Sequence, residues 1–359
     1  MAFACLEIPG PEDVEDLLRM ATSTRVSVLR RSLEHVLGGG KRLRASLVVA
    51  SAGFGSPDVS AVARTAAAME LIHLASLIHD DIIDGAAFRR SRPSLYRVFG
   101  RVPAVLTGDF LFASAFNLII DLPGSILKIV TKTIRSMCEG EMAEISEWNL
   151  NAGAYFDRIQ KKTASLIAAS CQCGGILGRL RGASIRHLEK FALYLGTAFQ
   201  VADDILDFAA GPEFSGKPAL QDLRRGIVTL PLIYFLNTPE GGAWREKLAK
   251  GGLSFKEAQK LAGLLVSSGC LDYALGVVFC NLQLADRELV FLPAGPARDD
   301  LRRVARGVLT LLLNRLGGLN YSRPPQEPAE EVEPAPAGAG RPEEAGGGGK
   351  DVLGERLRI

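Results

Sequence analysis

Two short acidic clusters share one pattern. His79-Asp80-Asp81-Ile82-Ile83-Asp84 and Gln200-Val201-Ala202-Asp203-Asp204-Ile205-Leu206-Asp207 both contain D-D-x-x-D. On a helix, residues i and i+4 share a face and i+1 lies close by, so each cluster projects carboxylates to one side. One such pattern is equally well explained as a solvated acidic face. Two copies set in apolar sequence fit that explanation less well, because like charges one turn apart repel and an apolar setting raises the cost. A hard divalent cation relieves the repulsion, and Mg²⁺ prefers a few carboxylates, several waters and phosphate oxygens. Two facing clusters would grip a diphosphate through bridging Mg²⁺. Asp80, Asp81, Asp84, Asp203, Asp204 and Asp207 are the candidate metal-binding groups.

Cations lie near both clusters in the chain. Phe88-Arg89-Arg90-Ser91-Arg92-Pro93 follows the first, and Gly38-Gly39-Gly40-Lys41-Arg42-Leu43-Arg44 precedes it. Lys161-Lys162-Thr163 lies between the clusters, and Gly216-Lys217 follows the second. Each alone reads as a solvated cation. With the carboxylates they describe two anion sites, one metal-dependent and one held directly by Arg and Lys. Gly211-Pro-Glu-Phe-Ser-Gly216-Lys217 is not a nucleotide-binding P-loop. Pro218 stands where a Mg²⁺-binding Ser or Thr is needed, and a helical pattern rather than a strand precedes it.

The elements that must position these groups are helices. No proline occurs between Pro123 and Pro212 or between Pro239 and Pro293, which leaves both stretches free to be long helices. Between Ala61 and Asp84, the residues Met69, Ile72, His73, Ser76, Leu77, Asp80, Asp81 and Asp84 follow three- and four-residue steps. Alternation of the strand type is scarce, so the fold class is all-α. The 359 residues are 47% hydrophobic with a formal net charge of +2. That suffices for a large core and gives no basic block for nucleic acid. Six cysteines lack metal-type spacing, Cys171 and Cys173 reading as buried thiols in a reducing compartment. The N-terminus lacks a signal-peptide pattern, and no apolar run reaches the roughly 20 residues of a membrane span. The expected location is the cytoplasm. Residues 1–10 are expected to be a mobile N-terminus and 11–319 one helical domain. The Pro/Gly/Glu-rich 320–359 is expected to be a disordered tail.

Across roughly residues 30 to 320, the chain resembles the trans-isoprenyl diphosphate synthases. The matching segments appear in the family's order. They are Gly40-Lys-Arg-Leu-Arg44, Glu70-Leu-Ile-His73, Leu77 to Asp84, Arg89-Arg90, Leu106 to Phe110 and Glu139-Gly-Glu141. Lys162-Thr163-Ala164, Ala198 to Asp207, Gly216-Lys217, Asp222-Leu223 and Thr229-Leu-Pro231 follow. Two departures, Ala45 for Pro and Ser91 for Gly, remove no charged group.

The resemblance implies a bundle of long antiparallel helices around a central cavity. It further implies a Mg²⁺-dependent condensation of isopentenyl diphosphate with an allylic diphosphate. Asp80, Asp84, Asp203 and Asp207 would hold the metal, supported by Asp81 and Asp204. Arg89, Lys162 and Lys217 would bind the allylic diphosphate. Lys41, Arg44, His73 and Arg90 would bind isopentenyl diphosphate, and Thr163 and Gln200 would face the developing cation. The middle of the chain is most similar to catalytic subunits of heptaprenyl or hexaprenyl diphosphate synthases. A homodimer, or a heteromer with a small regulatory subunit, is therefore implied, with peripheral membrane contact through the lipid product and a use of that product in respiratory quinones. A shorter-chain geranylgeranyl synthase and a non-catalytic regulatory subunit are the rival readings, the second expecting eroded acidic clusters. In the family, an aromatic residue five before the first Asp ends elongation, whereas here Ala75 and its neighbour Ser76 are small. These positions lie about 6–7.5 Å along the helix from Asp80, and their size implies a product of about six to eight isoprene units.

Overall fold

The computed structural model describes residues 11–38, 40–90, 92–209, 220–249 and 253–317. The N-terminal segment 1–10, Lys217 and the tail 320–359 lie outside the described residues. Helices α1 (Pro11–Ala21), α2 (Ser27–Leu37), α3 (Leu43–Ala52) and α4 (Val59–Ile83) lead into a two-residue hairpin, β1 (Phe88–Arg89) against β2 (Arg92–Pro93). Then come α5 (Leu95–Phe99), α6 (Arg101–Ile119), α7 (Gly124–Ser146) and α8 (Ala152–Ile159). A π-helical turn, Gln160–Ala164, joins α8 to α9 (Ser165–Leu177), and α10 (Gly182–Ala209) follows. The rest is α11 (Gln221–Arg225), α12 (Leu230–Leu236), α13 (Gly242–Ala249), α14 (Phe255–Ser267), α15 (Cys270–Val290) and α16 (Pro296–Gly317).

The helices begin where local chemistry satisfies their first N–H groups. Asp58 accepts from Ser60 and Ala61 at the start of α4, and Asn151 accepts from Gly153 and Ala154 at the start of α8. Ser254 and Glu257 cap α14 reciprocally. The proline-free stretches are helical as expected, Gly124 to Ala209 with two short breaks and Phe255 to Val290 with one.

Helix α4 is the central element. It packs against α3, α6 and α9, while α10 packs against α9 and α15. Met69, Leu71 and Ile72 are fully buried. A helix buried on all sides is apolar all round, and this explains a departure from the sequence reading. By length and composition alone, α4 and α6 could each cross a membrane, although 78% of the apolar window of α4 is buried inside the molecule. For α6 the share is 39%, and Val102 and Leu106 are among its uncovered residues. The five cysteines among the described residues are free, with Cys171 and Cys173 buried.

Candidate active site

Near their C-terminal ends, α4 and α10 present the two acidic clusters to one cavity of about 390 Å³, within the size range of small-molecule sites. From α4 it is lined by His73, Ser76, Leu77, Asp80 and Asp84, a three- and four-residue progression along one face. Helix α10 contributes Phe199, Gln200, Asp203, Asp204 and Asp207. Arg44, Arg89, Arg90 and Lys162 line the same cavity, so the structure gathers charged groups that are far apart in the sequence.

The middle carboxylate of each cluster is turned away from solvent. Asp81 is buried, and its Oδ1 accepts from Arg89 Nε at 2.9 Å and from Arg89 Nη2. Asp204 is buried too. Its Oδ2 accepts from the Tyr155 hydroxyl at 2.6 Å, and its Oδ1 accepts from Gln200 Nε2 at 2.8 Å. Gln200 Oε1 then accepts from Thr163 Oγ1 at 2.7 Å. Burial pushes the Asp204 carboxyl up to about 7, against the hydrogen bonds from Tyr155 and Gln200. The six-carboxylate metal set read from the sequence therefore divides. All but Asp81 line the cavity, and the two middle residues, Asp81 and Asp204, also orient neighbouring side chains.

Lys162 and Thr163 sit on the π-helical turn, a local geometry often found at functional sites. Gly140 of α7 lets that turn approach, since a Cβ there would lie 2.6 Å from the Lys162 backbone nitrogen. Lys162 Nζ lies 2.6 Å from Glu141 and 2.5 Å from Glu144. Burial opposes its charge, but Glu144, Glu141 and Asp80 outweigh burial and hold its pKa above the ordinary range. Asp80 is pushed up by burial and then by Glu141. Glu141, Glu144 and Tyr155 are site residues that no spacing rule assigned a role, although Glu141 stood in one of the matched segments.

A second basic group lies beside the first. Glu70 is buried, and its Oε1 accepts from the backbone N–H groups of Arg44 at 3.0 Å and Ala45 at 3.1 Å. It thereby caps α3 from another helix and fixes Arg44. The Arg44 Nε is buried without a protein partner, a costly state that a bound anion would relieve. Burial lowers the Arg44 pKa to about 10, leaving it charged at neutral pH. His73 is held well below its ordinary value by burial and then by Arg44 and Arg90, so a neutral imidazole faces the cations. The hairpin carries Arg90 at φ 50°, against Gly40 at φ 122°. A Cβ on Gly40 would lie 3.0 Å from Arg90 Nη1, and the positive φ at this position is what calls for glycine. Lys41, by contrast, is exposed and away from the cavity wall. Its neighbour Arg42 is tied to Glu15 at 2.5 Å.

The two small residues also separate. Ser76 lines the cavity. Ala75 is fully buried in the core cluster that includes Leu111 and Ala115 of α6. At 3.6 residues per turn, the fourth residue before Asp80 is about 40° from it around the helix and the fifth about 140°. Of the two small residues read as bearing on chain length, Ser76 lines this cavity and Ala75 does not.

The donor set suits a hard cation. The cavity carboxylates are hard oxygen ligands that a cation of this kind prefers. Among the described residues no three such groups converge on one point. Mg²⁺ tolerates that arrangement because it retains waters and takes substrate phosphate oxygens.

The family model for polyprenyl synthetase matches residues 26–263. Heptaprenyl diphosphate synthase component 2 of Geobacillus stearothermophilus is 40% identical over 229 residues, covering 62% of this chain and 72% of that protein. The nonaprenyl diphosphate synthase of Mycobacterium tuberculosis is 34% identical over 306 residues, covering 83% and 91%. Among solved structures, the polyprenyl synthase of Caulobacter crescentus, in complex with calcium and isoprenyl diphosphate, is similar with a TM-score of 0.80. It is 32% identical, and the match covers 83% of this chain and 94% of that one.

Proposed function

This chain belongs to the polyprenyl synthetase family, and from that premise we propose that it is a Mg²⁺-dependent long-chain polyprenyl diphosphate synthase. It is a prenyltransferase that condenses isopentenyl diphosphate with an allylic diphosphate. One observation carries the reading. Asp80 and Asp84 from one helix and Asp203 and Asp207 from another line the same cavity as Arg44, Arg89, Arg90 and Lys162. Eroded clusters would have favoured a non-catalytic subunit, and both clusters are intact.

Asp80, Asp84, Asp203 and Asp207 would hold Mg²⁺, which supplies neutralisation of the charge gathering on the leaving diphosphate. Arg89, locked by Asp81, and Lys162, locked by Glu141 and Glu144, bind that diphosphate and stabilise it as the C–O bond ionises. Arg44, Arg90 and neutral His73 hold the isopentenyl diphosphate, whose double bond attacks the allylic cation from a fixed position. Thr163 and Gln200 present oxygen atoms toward the cation, their hydrogen-bond directions set through Asp204 and Tyr155. The proton lost from the new chain passes to the released pyrophosphate. Leu77, Met137, Leu166 and Phe199 line the same cavity and keep water from the cation.

Small Ser76 on the wall and the hepta- and nonaprenyl synthases among the relatives support a long product, for which the family resemblance implied about six to eight isoprene units. The uncovered apolar face of α6 supports a second chain bound there. The name of the Geobacillus relative, a component of a two-part enzyme, favours a small regulatory subunit as an alternative to a second copy. The test is product analysis with purified protein, isopentenyl diphosphate, several allylic starters and Mg²⁺. Long polyprenyl products are expected. Products of about four units or fewer from every starter would refute the long-chain assignment.

A further inference from the structure

Arg225 is a cation that neither the sequence reading nor the mechanism uses. It ends α11, just after the second cluster, and its Nη2 donates to Asp84 Oδ1 at 2.5 Å, across 141 residues of chain. Both side chains are largely covered, at 29% and 17% exposure. The backbone beneath Arg225 is well anchored. Leu220 and Leu223 are buried in the core, and the short helix lies between Leu220 at φ 59° and Gly226 at φ 72°. The Leu253 N–H donates to Arg224 O at 3.1 Å, and the Ile227 N–H to Asp222 O at 2.9 Å. The same segment meets the other cluster, where the Asp222 N–H donates to Asp207 Oδ2 at 3.3 Å. A fixed backbone therefore carries a long, jointed side chain whose guanidinium rests on one of the cavity carboxylates.

We propose that Arg225 is a resident counter-ion for Asp84, released to the substrate diphosphate when a divalent cation takes that carboxylate. This rests on the metal-dependent reading given above. An Asp84 left bare would add to the repulsion around Asp80, so the metal-free protein needs a positive charge there. A guanidinium and a divalent cation on one carboxylate repel each other, and the guanidinium is the mobile one. Its planar fork suits a phosphate as well as a carboxylate, and the diphosphate arrives with the metal. Arg225 thus weakens metal binding before substrate is present and strengthens diphosphate binding afterwards. The site is thereby biased toward taking up metal and diphosphate together.

The test is Mn²⁺ binding followed by electron paramagnetic resonance, without substrate, in wild-type protein, Arg225→Gln, Arg225→Met and Asp84→Asn. Inorganic pyrophosphate is then titrated at saturating Mn²⁺. Both Arg225 variants should bind the first Mn²⁺ about tenfold more tightly and pyrophosphate about tenfold more weakly. Unchanged or weaker Mn²⁺ binding in both would overturn the proposal and leave Arg225 as a purely structural ion pair. Unchanged pyrophosphate affinity would overturn its second half. Should Asp84→Asn bind Mn²⁺ as the wild type does, the metal assignment of the cluster itself fails, and the proposal with it. Thermal melts of both Arg225 variants separate a binding effect from loss of fold.

Discussion

The two acidic clusters carry the same pattern but serve different neighbours. In both, the first and third carboxylates face the cavity. In the α4 cluster the middle residue, Asp81, grips a charged group, Arg89, which itself faces the cavity. In the α10 cluster Asp204 grips neutral groups, Tyr155 and Gln200, and through them Thr163. The first cluster thus orders a cation, and the second orders hydroxyl and amide dipoles; on the proposed function these serve a diphosphate and a carbocation respectively. With identical spacing, the surrounding helices therefore decide what the middle carboxylate of each cluster does.

Removing a cavity-facing carboxylate should have the largest effect and erase the distinction between the clusters. Asp80→Ala and Asp203→Ala should each lower turnover by about 10³-fold with the helical circular dichroism retained. Near-normal rates in either would break the account. Changing the middle residues should expose the difference. Asp81→Asn frees Arg89 and should raise KM for the allylic diphosphate about tenfold, whereas Asp204→Asn should act mainly on kcat, each loss corresponding to about 1.4 kcal/mol. Steady-state kinetics with each substrate varied distinguishes them, and matching profiles would mean that the middle residues are equivalent. Gly140→Ala sharpens the comparison further by pushing on the π-helical turn at Lys161 and Lys162. The allylic KM should rise several-fold with the isopentenyl KM unchanged, and equal shifts in both would show a general packing defect. The smallest catalytic effect is expected from Tyr155→Phe, which leaves Asp204 one donor short and should cost about 1–3 kcal/mol of stability with a few-fold fall in kcat. Product length offers a separate check. Ser76→Phe should shorten the products, while Ala75→Phe should cost about 1–3 kcal/mol in overpacking and leave the product pattern of the folded fraction unchanged.

Much of this arrangement was legible in the chain. The two clusters, the proline-free stretches and the periodicity of residues 61–84 dictated long helices with carboxylates on one face. The ordered motifs located Arg44, His73, Arg89, Arg90 and Lys162. What stayed hidden depends on contacts distant in sequence. Tyr155 lies 49 residues from Asp204 and Arg225 lies 141 from Asp84, and no local period connects them. The π-helical turn was invisible for a similar reason, because its packing requires Gly140 of another helix. Ala75 and Ser76 were both legible as small residues near the first cluster, and helical geometry separates them by about 100° around the helix. The burial of the apolar α4 inside the molecule also needed the fold, because composition does not distinguish a central core helix from a membrane span.

The central claim is that both clusters act on one metal-bound diphosphate. Its most direct test is calorimetric titration of a non-ionising allylic thiolodiphosphate into wild-type protein, Asp80→Ala and Asp203→Ala, with Mg²⁺ and with chelator. The account predicts tight binding only in wild-type protein with Mg²⁺, and a loss of at least about tenfold in each variant. Binding that survives chelation, or that depends on one cluster and not the other, would contradict it.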